Sequence, residues 1–126
     1  MTREMTPAER TAVTMGFEEP DRVPLFLLFT MYGAKELGLS IQEYFSKPEY
    51  IVAGQMRLQK KFGGDCLNPF CYAASEVEAW GGEVIFSDDG PPNAGRPPIR
   101  RAEEIESIEV PLVEESPSLL FGLRTI

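Results

Sequence analysis

The residues best suited to chemistry crowd into one stretch, DCLNPFCYAASEVEAW, from Asp65 to Trp80. It holds both cysteines, Cys66 and Cys71, the only tryptophan, and Tyr72, Glu76 and Glu78. A metal site, a polar group working at a strand end, or plain packing would each use such residues. Cysteine pairs that bind metal come with a second pair or with histidines, and the chain has no histidine. No metal site is therefore expected from this chain alone, nor a Ser-His-Asp or Cys-His site. Cys66 reads as a buried core thiol, since free cysteine is among the most buried residue types. Cys71, just past the strand, reads as core or as the lining of a pocket mouth. Asn68 alternates with Leu67, so if Leu67 packs outward the Asn68 amide points inward and needs partners. Tyr72 stands where a strand would end and could place its hydroxyl over a substrate. Glu76 and Glu78 diverge by about 200° on a helix and share a face on a strand, so they can cooperate only if the segment is extended. Glu78 reads as a solvated or capping carboxylate, and Trp80 as packing.

These residues need elements to carry them. Thr6, Pro7 and Glu9 form a T-x-x-E capping box with proline at the first helical position, and Gly16 is a stop, so a first helix is predicted over Pro7 to Met15. The run VPLFLLF is apolar without alternation and of strand length, as in a parallel strand covered on both faces. YGAKELGLS predicts a short helix ended by Gly38, and Ser40 with Glu43 caps the next. Ser46, Pro48 and Glu49 are read as a third capping box, starting a helix to about Phe62 with Ile51, Leu58 and Phe62 on one stripe and Val52 and Met56 beside it. Gly63 and Gly64 end it. DCLNPF is read as a second strand, SEVEAW as a helical turn and GEVIF as a third extended piece. Ser87 to Pro98, SDDGPPNAGRPP, is expected to be a loop that no helix or strand crosses, and a long irregular loop is usually functional or flexible. RAEEIESIEVP follows as a short acidic helix or turn. Ser116 and Pro117 start a last helix that is expected to reach Ile126. The order is a βα pattern whose parallel strands need more neighbours than these, so the chain is expected to be the beginning of something larger.

Composition narrows the function classes. The 126 residues have room for one domain. A net charge of -8, with basic residues scattered apart from Lys60-Lys61 and Arg100-Arg101, argues against a nucleic-acid partner. The longest apolar run, residues 23–29, is far short of the roughly 20 residues a membrane span needs, so no membrane partner is expected. MTREMTPAER lacks the apolar core of a signal peptide. Two cysteines without secretory features read as reduced thiols in the cytoplasm. SDDG and AEEIE read as solvated surface, and Lys35 and Glu36 as facing water.

Taken together, MTPAERTAVTMGFEEPDRVPLF, YGAKELGLSIQEYFSKPE, KFGGDCLNPFCYAASEVEAWGGEVIFSDDGPP and PPIRRAEEIESIEVP resemble the N-terminal part of the uroporphyrinogen decarboxylase superfamily. That resemblance implies an α/β fold, a (β/α)8 barrel with its site at the C-terminal ends of the strands. Residues 1–126 would be a partial domain: VPLFLLF as strand one, DCLNPF as strand two, an excursion after it, and an end before strand three. Porphyrinogen decarboxylases of the family carry R-Q-A-G-R after strand one; this chain has FTMYG, with Phe29 and Gly33 near the arginine positions. They carry F-S-D after strand two; this chain has FCY, with Tyr72 at the aspartate. A phenol with its usual pKa of about 10 is neutral at pH 7 and cannot replace that charge. The resemblance is closer to the corrinoid-linked methylcobamide:coenzyme M methyltransferases, through YGAKELGLS and SEVEAWGGEV. In that branch zinc, held by one histidine and two cysteines of the C-terminal half, activates a thiol acceptor. Zinc and a corrinoid are thus implied for the complete enzyme but not from this chain.

The family also carries acidic residues near Glu76, so the substrate-binding candidates are Asn68, Cys71, Tyr72 and Glu76. The expected function is methyl transfer from a corrinoid protein to a thiol. The alternatives are a carboxy-lyase and a non-catalytic fragment or split subunit that another chain completes. The expected partners are a small-molecule substrate, a corrinoid protein or that completing chain.

Overall fold

In the computed structural model, which describes residues 3–126, local signals set most helix starts. Helix α1 (Pro7–Met15) begins on a reciprocal box: the Glu9 N–H donates to Thr6 Oγ1, and the Thr6 N–H donates to Glu9 Oε2. Helix α2 (Tyr32–Leu37) ends on Gly38, whose φ of +71° is the left-handed C-cap that glycine adopts without a steric penalty. Helix α3 (Ile41–Tyr44) starts on the matching box of Ser40 and Glu43. Helix α4 (Pro48–Phe62) corrects one expectation, because Lys47 rather than Ser46 is its N-cap and no side chain caps it. The Ser46 hydroxyl donates instead to the Glu43 carbonyl at 2.7 Å. Proline at the first position has no N–H to satisfy, so the start tolerates the missing cap.

Helix α5 (Ser75–Ala79), strands β1 (Val84–Ile85) and β2 (Asn93–Ala94), 3-10 helices at Ala102–Ser107 and Val113–Glu115, and helix α6 (Pro117–Leu123) complete the order. Helix α6 stops at Leu123 instead of reaching Ile126. Thr125 then turns inward, its hydroxyl within hydrogen-bond reach of the carbonyls of Pro69 at 2.9 Å and Gly122 at 2.7 Å.

The two expected barrel strands, residues 23–29 and 65–70, are extended neighbours without a ladder. They meet at Leu25, whose carbonyl accepts from the Asp65 N–H at 2.9 Å and whose N–H donates to Asp65 Oδ2 at 2.8 Å. At their other ends Gln55 of α4 joins them. Its Nε2 donates to the Phe29 carbonyl at 2.9 Å and its Oε1 accepts from the Asn68 N–H at 3.4 Å. Leu25 beside Asp65 and Phe29 near Asn68 make the segments run in the same direction, as barrel strands do. A lone parallel pair is weak, and regular pairing needs strands on both sides. Accordingly Val23, Phe26, Leu28 and Phe70 remain exposed.

The one sheet among the described residues is the antiparallel pair β1–β2, with Val84 opposite Ala94 and Ile85 opposite Asn93. Strand β2 thus lies inside the stretch expected to hold none. The prolines at 91, 92, 97 and 98 all stand outside the paired residues, so none is asked for an N–H it lacks.

The core gathers Ala34, Tyr44, Phe45, Ile51 and Cys71 where α2 packs on α4. Glycines make that approach possible: a Cβ on Gly54 would lie 2.7 Å from the Tyr44 ring and 2.9 Å from the Gly33 Cα. Ile51 and Leu58 of the expected stripe are buried, whereas Val52, Met56 and Phe62 stay exposed. Glu36, expected in water, pairs with Lys61 Nζ at 2.7 Å and ties α2 to α4. Among the described residues no helix is long and apolar enough to cross a membrane.

Candidate functional site

The two extended segments present unlike ends. At their N-terminal side sits a buried ion cluster that sequence reasoning missed. Arg10, 1% exposed, donates from Nε and Nη2 to the two Asp21 oxygens at 2.6 and 2.7 Å, from Nη2 to the Met5 carbonyl at 2.6 Å, and from Nη1 to Asp65. Arg22 places a two-pronged contact on Asp65 at 2.6 and 3.0 Å. The Arg10 hydrogen bonds hold the Asp21 carboxyl well below the ordinary range. For Asp65 burial pushes upward, but the bonds from Arg22, Leu25 and Arg10 outweigh it and its carboxyl also stays below the ordinary range. The available signal was the pair Asp21-Arg22 before the first apolar run and Asp65 directly before the second.

At the C-terminal side the segments open into a cleft. A cavity of about 560 Å³ lies over Leu28, Phe29 and Ile41, with Lys35, Asp88 and Asp89 as its charged lining. A smaller one of about 160 Å³ is walled by Phe45, Cys71, Tyr72 and Pro92. Thr30 and Met31 line both, so the two cavities are neighbours, a larger and a smaller lobe on either side of these residues. Asp88 and Asp89 are exposed, as expected of SDDG, and the folded hairpin also brings them to the edge of the larger cavity.

The structure unites two of the four candidates. Cys71 is buried in the core and faces the small lobe, and burial pushes its thiol up to about 12, so it stays protonated at neutral pH. The Tyr72 ring meets Phe45 edge-on at 5.4 Å and Phe86 at 5.6 Å, and its hydroxyl donates to Glu78 Oε2 at 2.8 Å. Burial, reinforced by that bond to Glu78, raises the phenol above its ordinary value. With its proton committed to Glu78, Tyr72 offers a ligand its oxygen lone pairs.

Asn68 and Glu76 lie apart from this pair. Asn68 lines a separate cavity of about 110 Å³, and its Oδ1 accepts from the Phe70 N–H at 3.0 Å, closing a local turn. Glu76 is exposed on α5, and because that segment is helical it shares no face with Glu78. Cys66 is half-buried rather than core, its thiol donating to the Leu67 carbonyl at 3.1 Å, because it lies on the uncovered segment pair. Gln55, which joins the two segments under the cleft, was also missed. Its signal was a polar residue between Ile51 and Leu58 on the buried stripe of α4.

Adjacent segments connected through helices, with a cleft over their C-terminal ends, are consistent with the opening βα units of an α/β barrel. The family is shown by the sequence match, since residues 6–126 fit uroporphyrinogen decarboxylase (URO-D) and the chain belongs to that family. No curated protein and no solved structure matches the chain. A (β/α)8 barrel takes about 250 residues, so these 126 make part of one.

Proposed function

We propose that the cleft is one wall of the active site of a methyltransferase of this family, which in complete form moves a methyl group from a corrinoid protein to a thiol acceptor. The observation carrying this reading is the charge of the cleft lining. The larger lobe has one cation, Lys35, against two carboxylates, Asp88 and Asp89. Phe29 and Gly33 stand where the resemblance puts the decarboxylases' arginines, and a neutral Tyr72 where it puts their aspartate. A porphyrinogen with its many carboxylates would need several cations here, because carboxylates leave water only when paired. An apolar cleft suits a neutral methyl group better.

Zinc and a corrinoid belong to this reading, and the residues present do not fit the zinc site. The chain has no histidine, no group of three potential ligands occurs among the described residues, and the buried Cys71 thiol holds its proton. The part these residues play is to wall the cleft, exclude water and present Tyr72 on Glu78. The setting in this reading is cytoplasmic, where Cys66 and Cys71 stay free thiols.

The exposed Val23, Phe26, Leu28 and Phe70 favour a second reading for the isolated 126 residues: an inactive piece that another segment or chain must cover. Two measurements test the primary reading. Trp80, the only tryptophan, serves as a fluorescence probe for uroporphyrin. No saturable quenching is expected, and saturable binding in the micromolar range would favour the carboxy-lyase. The protein with its barrel completed is expected to methylate a thiol from methylcobalamin; decarboxylation of uroporphyrinogen instead would overturn the proposal.

A further inference from the structure

The excursion between α5 and the first 3-10 helix is built as a clamped stem with a tip held by side-chain packing alone. The stem is the β1–β2 pair, extended by the Glu83 N–H donating to the Arg96 carbonyl at 2.9 Å and the Gly95 N–H donating to the Glu83 carbonyl at 2.7 Å. The Arg96 N–H adds a bond to Glu83 Oε2 at 3.1 Å. Below the stem, Gly82 is wedged so tightly that a Cβ there would meet Val77 at 2.5 Å and Pro98 at 3.0 Å. The tip, residues 86–92, is different. Among the described residues no backbone hydrogen bond joins it to anything outside the hairpin. Pro91 and Pro92 have no N–H to offer one. Apolar contact holds it: Pro92 is buried, and the Phe86 ring ends an edge-on series running from Tyr44 through Phe45 and Tyr72.

That tip touches both lobes of the cleft. Asp88 and Asp89 line the larger one, and Pro91 and Pro92, with Asn93 of β2, line the smaller one beside Cys71. We propose that residues 86–92 form a strap that lifts from the cleft by breaking side-chain contacts alone, while the stem stays closed, and so gates ligand entry to the site. A segment held by the packing of Phe86 and Pro92 without a backbone tie can open without breaking the hydrogen bonds of the fold, a local opening below the free energy of global unfolding, and such movements admit and enclose substrates in other enzymes. The strap's role as a gate rests on reading the cleft as an active site; its opening does not.

Cys71 reports that opening because it lies under the tip. In a Cys66→Ser background, labelling of Cys71 by dithionitrobenzoate is expected to proceed in the native protein with little dependence on urea. Pro92→Gly is expected to accelerate it tenfold or more while the thermal midpoint of the Trp80 signal barely moves. Labelling that follows urea with the full slope of global unfolding, or a rate unchanged by Pro92→Gly, overturns the strap. Should Pro92→Gly unfold the chain, amide exchange on the Cys66→Ser protein decides. Residues 86–92 exchanging far faster than α4 supports the strap, and exchange at the same rate as α4 overturns it. Porphyrin binding or methyl transfer affects neither readout, so the strap and the proposed function fail separately.

Discussion

The base and the mouth of the two extended segments are built from opposite materials. At the base, Arg10, Asp21, Arg22 and Asp65 bind one another and the backbone of Met5 and Leu25, and the Asp65 side chain is wholly buried. At the mouth, rings, prolines and a protonated thiol surround empty volume, with two side-chain bonds at the small lobe, from Tyr72 to Glu78 and from Asn93 Nδ2 to the Pro91 carbonyl. A dense charge cluster gives a stiff anchor, since every member depends on partners of fixed geometry. A cleft with few internal bonds leaves room and lone pairs for a ligand. The contrast matches the division of a barrel into a stabilising N-terminal face and a working C-terminal face.

The largest blow to this contrast should come from the base. Asp65→Ala removes the acceptor of bonds from Arg10, Arg22 and the Leu25 N–H. Breaking a buried pair from one side costs about 3–5 kcal/mol, a loss readable in urea unfolding followed by Trp80 fluorescence. A loss below about 1 kcal/mol would remove the base as the anchor. Acid should bring on the same loss gradually. Asp21 and Asp65 both titrate lower folded than unfolded. Their contribution is therefore complete above the unfolded value of about 3.9 and is lost as pH falls through the folded values. Stability should be level above about pH 5 and decline below about pH 4. A decline already present near neutrality would point to groups outside the base. The smallest effect belongs to the mouth. Tyr72→Phe deletes one bond to an exposed carboxylate and should change stability by less than about 1 kcal/mol. If it instead costs as much as Asp65→Ala, the mouth is structural too and the contrast fails.

Legibility in the sequence followed the range of the interactions. Thr6 with Glu9 and Ser40 with Glu43 were readable because a capping box closes within four residues, and Gly38 and Gly63 because a left-handed C-cap is local. The third box was misread because Ser46 found a carbonyl in the preceding turn instead of the helix it precedes. At the site, Cys71 and Tyr72 are neighbours in the chain and line the same cavity, a closeness that adjacency alone makes legible. The partner of Tyr72 depended on α5 being helical, which turned Glu78 rather than Glu76 toward it. That Asp88 and Asp89 reach the cleft could not be read from the sequence, because it depends on a hairpin whose two-residue strands are flanked by prolines.

By itself, then, the sequence determined where most helices begin and end, the direction of the βα chain and the family, because caps, turn residues and apolar runs act over a few neighbours. Only the tertiary structure decided that Arg10, Asp21 and Asp65 share one buried cluster, that Gln55 joins the extended segments, and that a hairpin tip meets the cleft. Those contacts join residues far apart in the chain, and no local propensity encodes which distant partner a buried charge or an open cleft will meet.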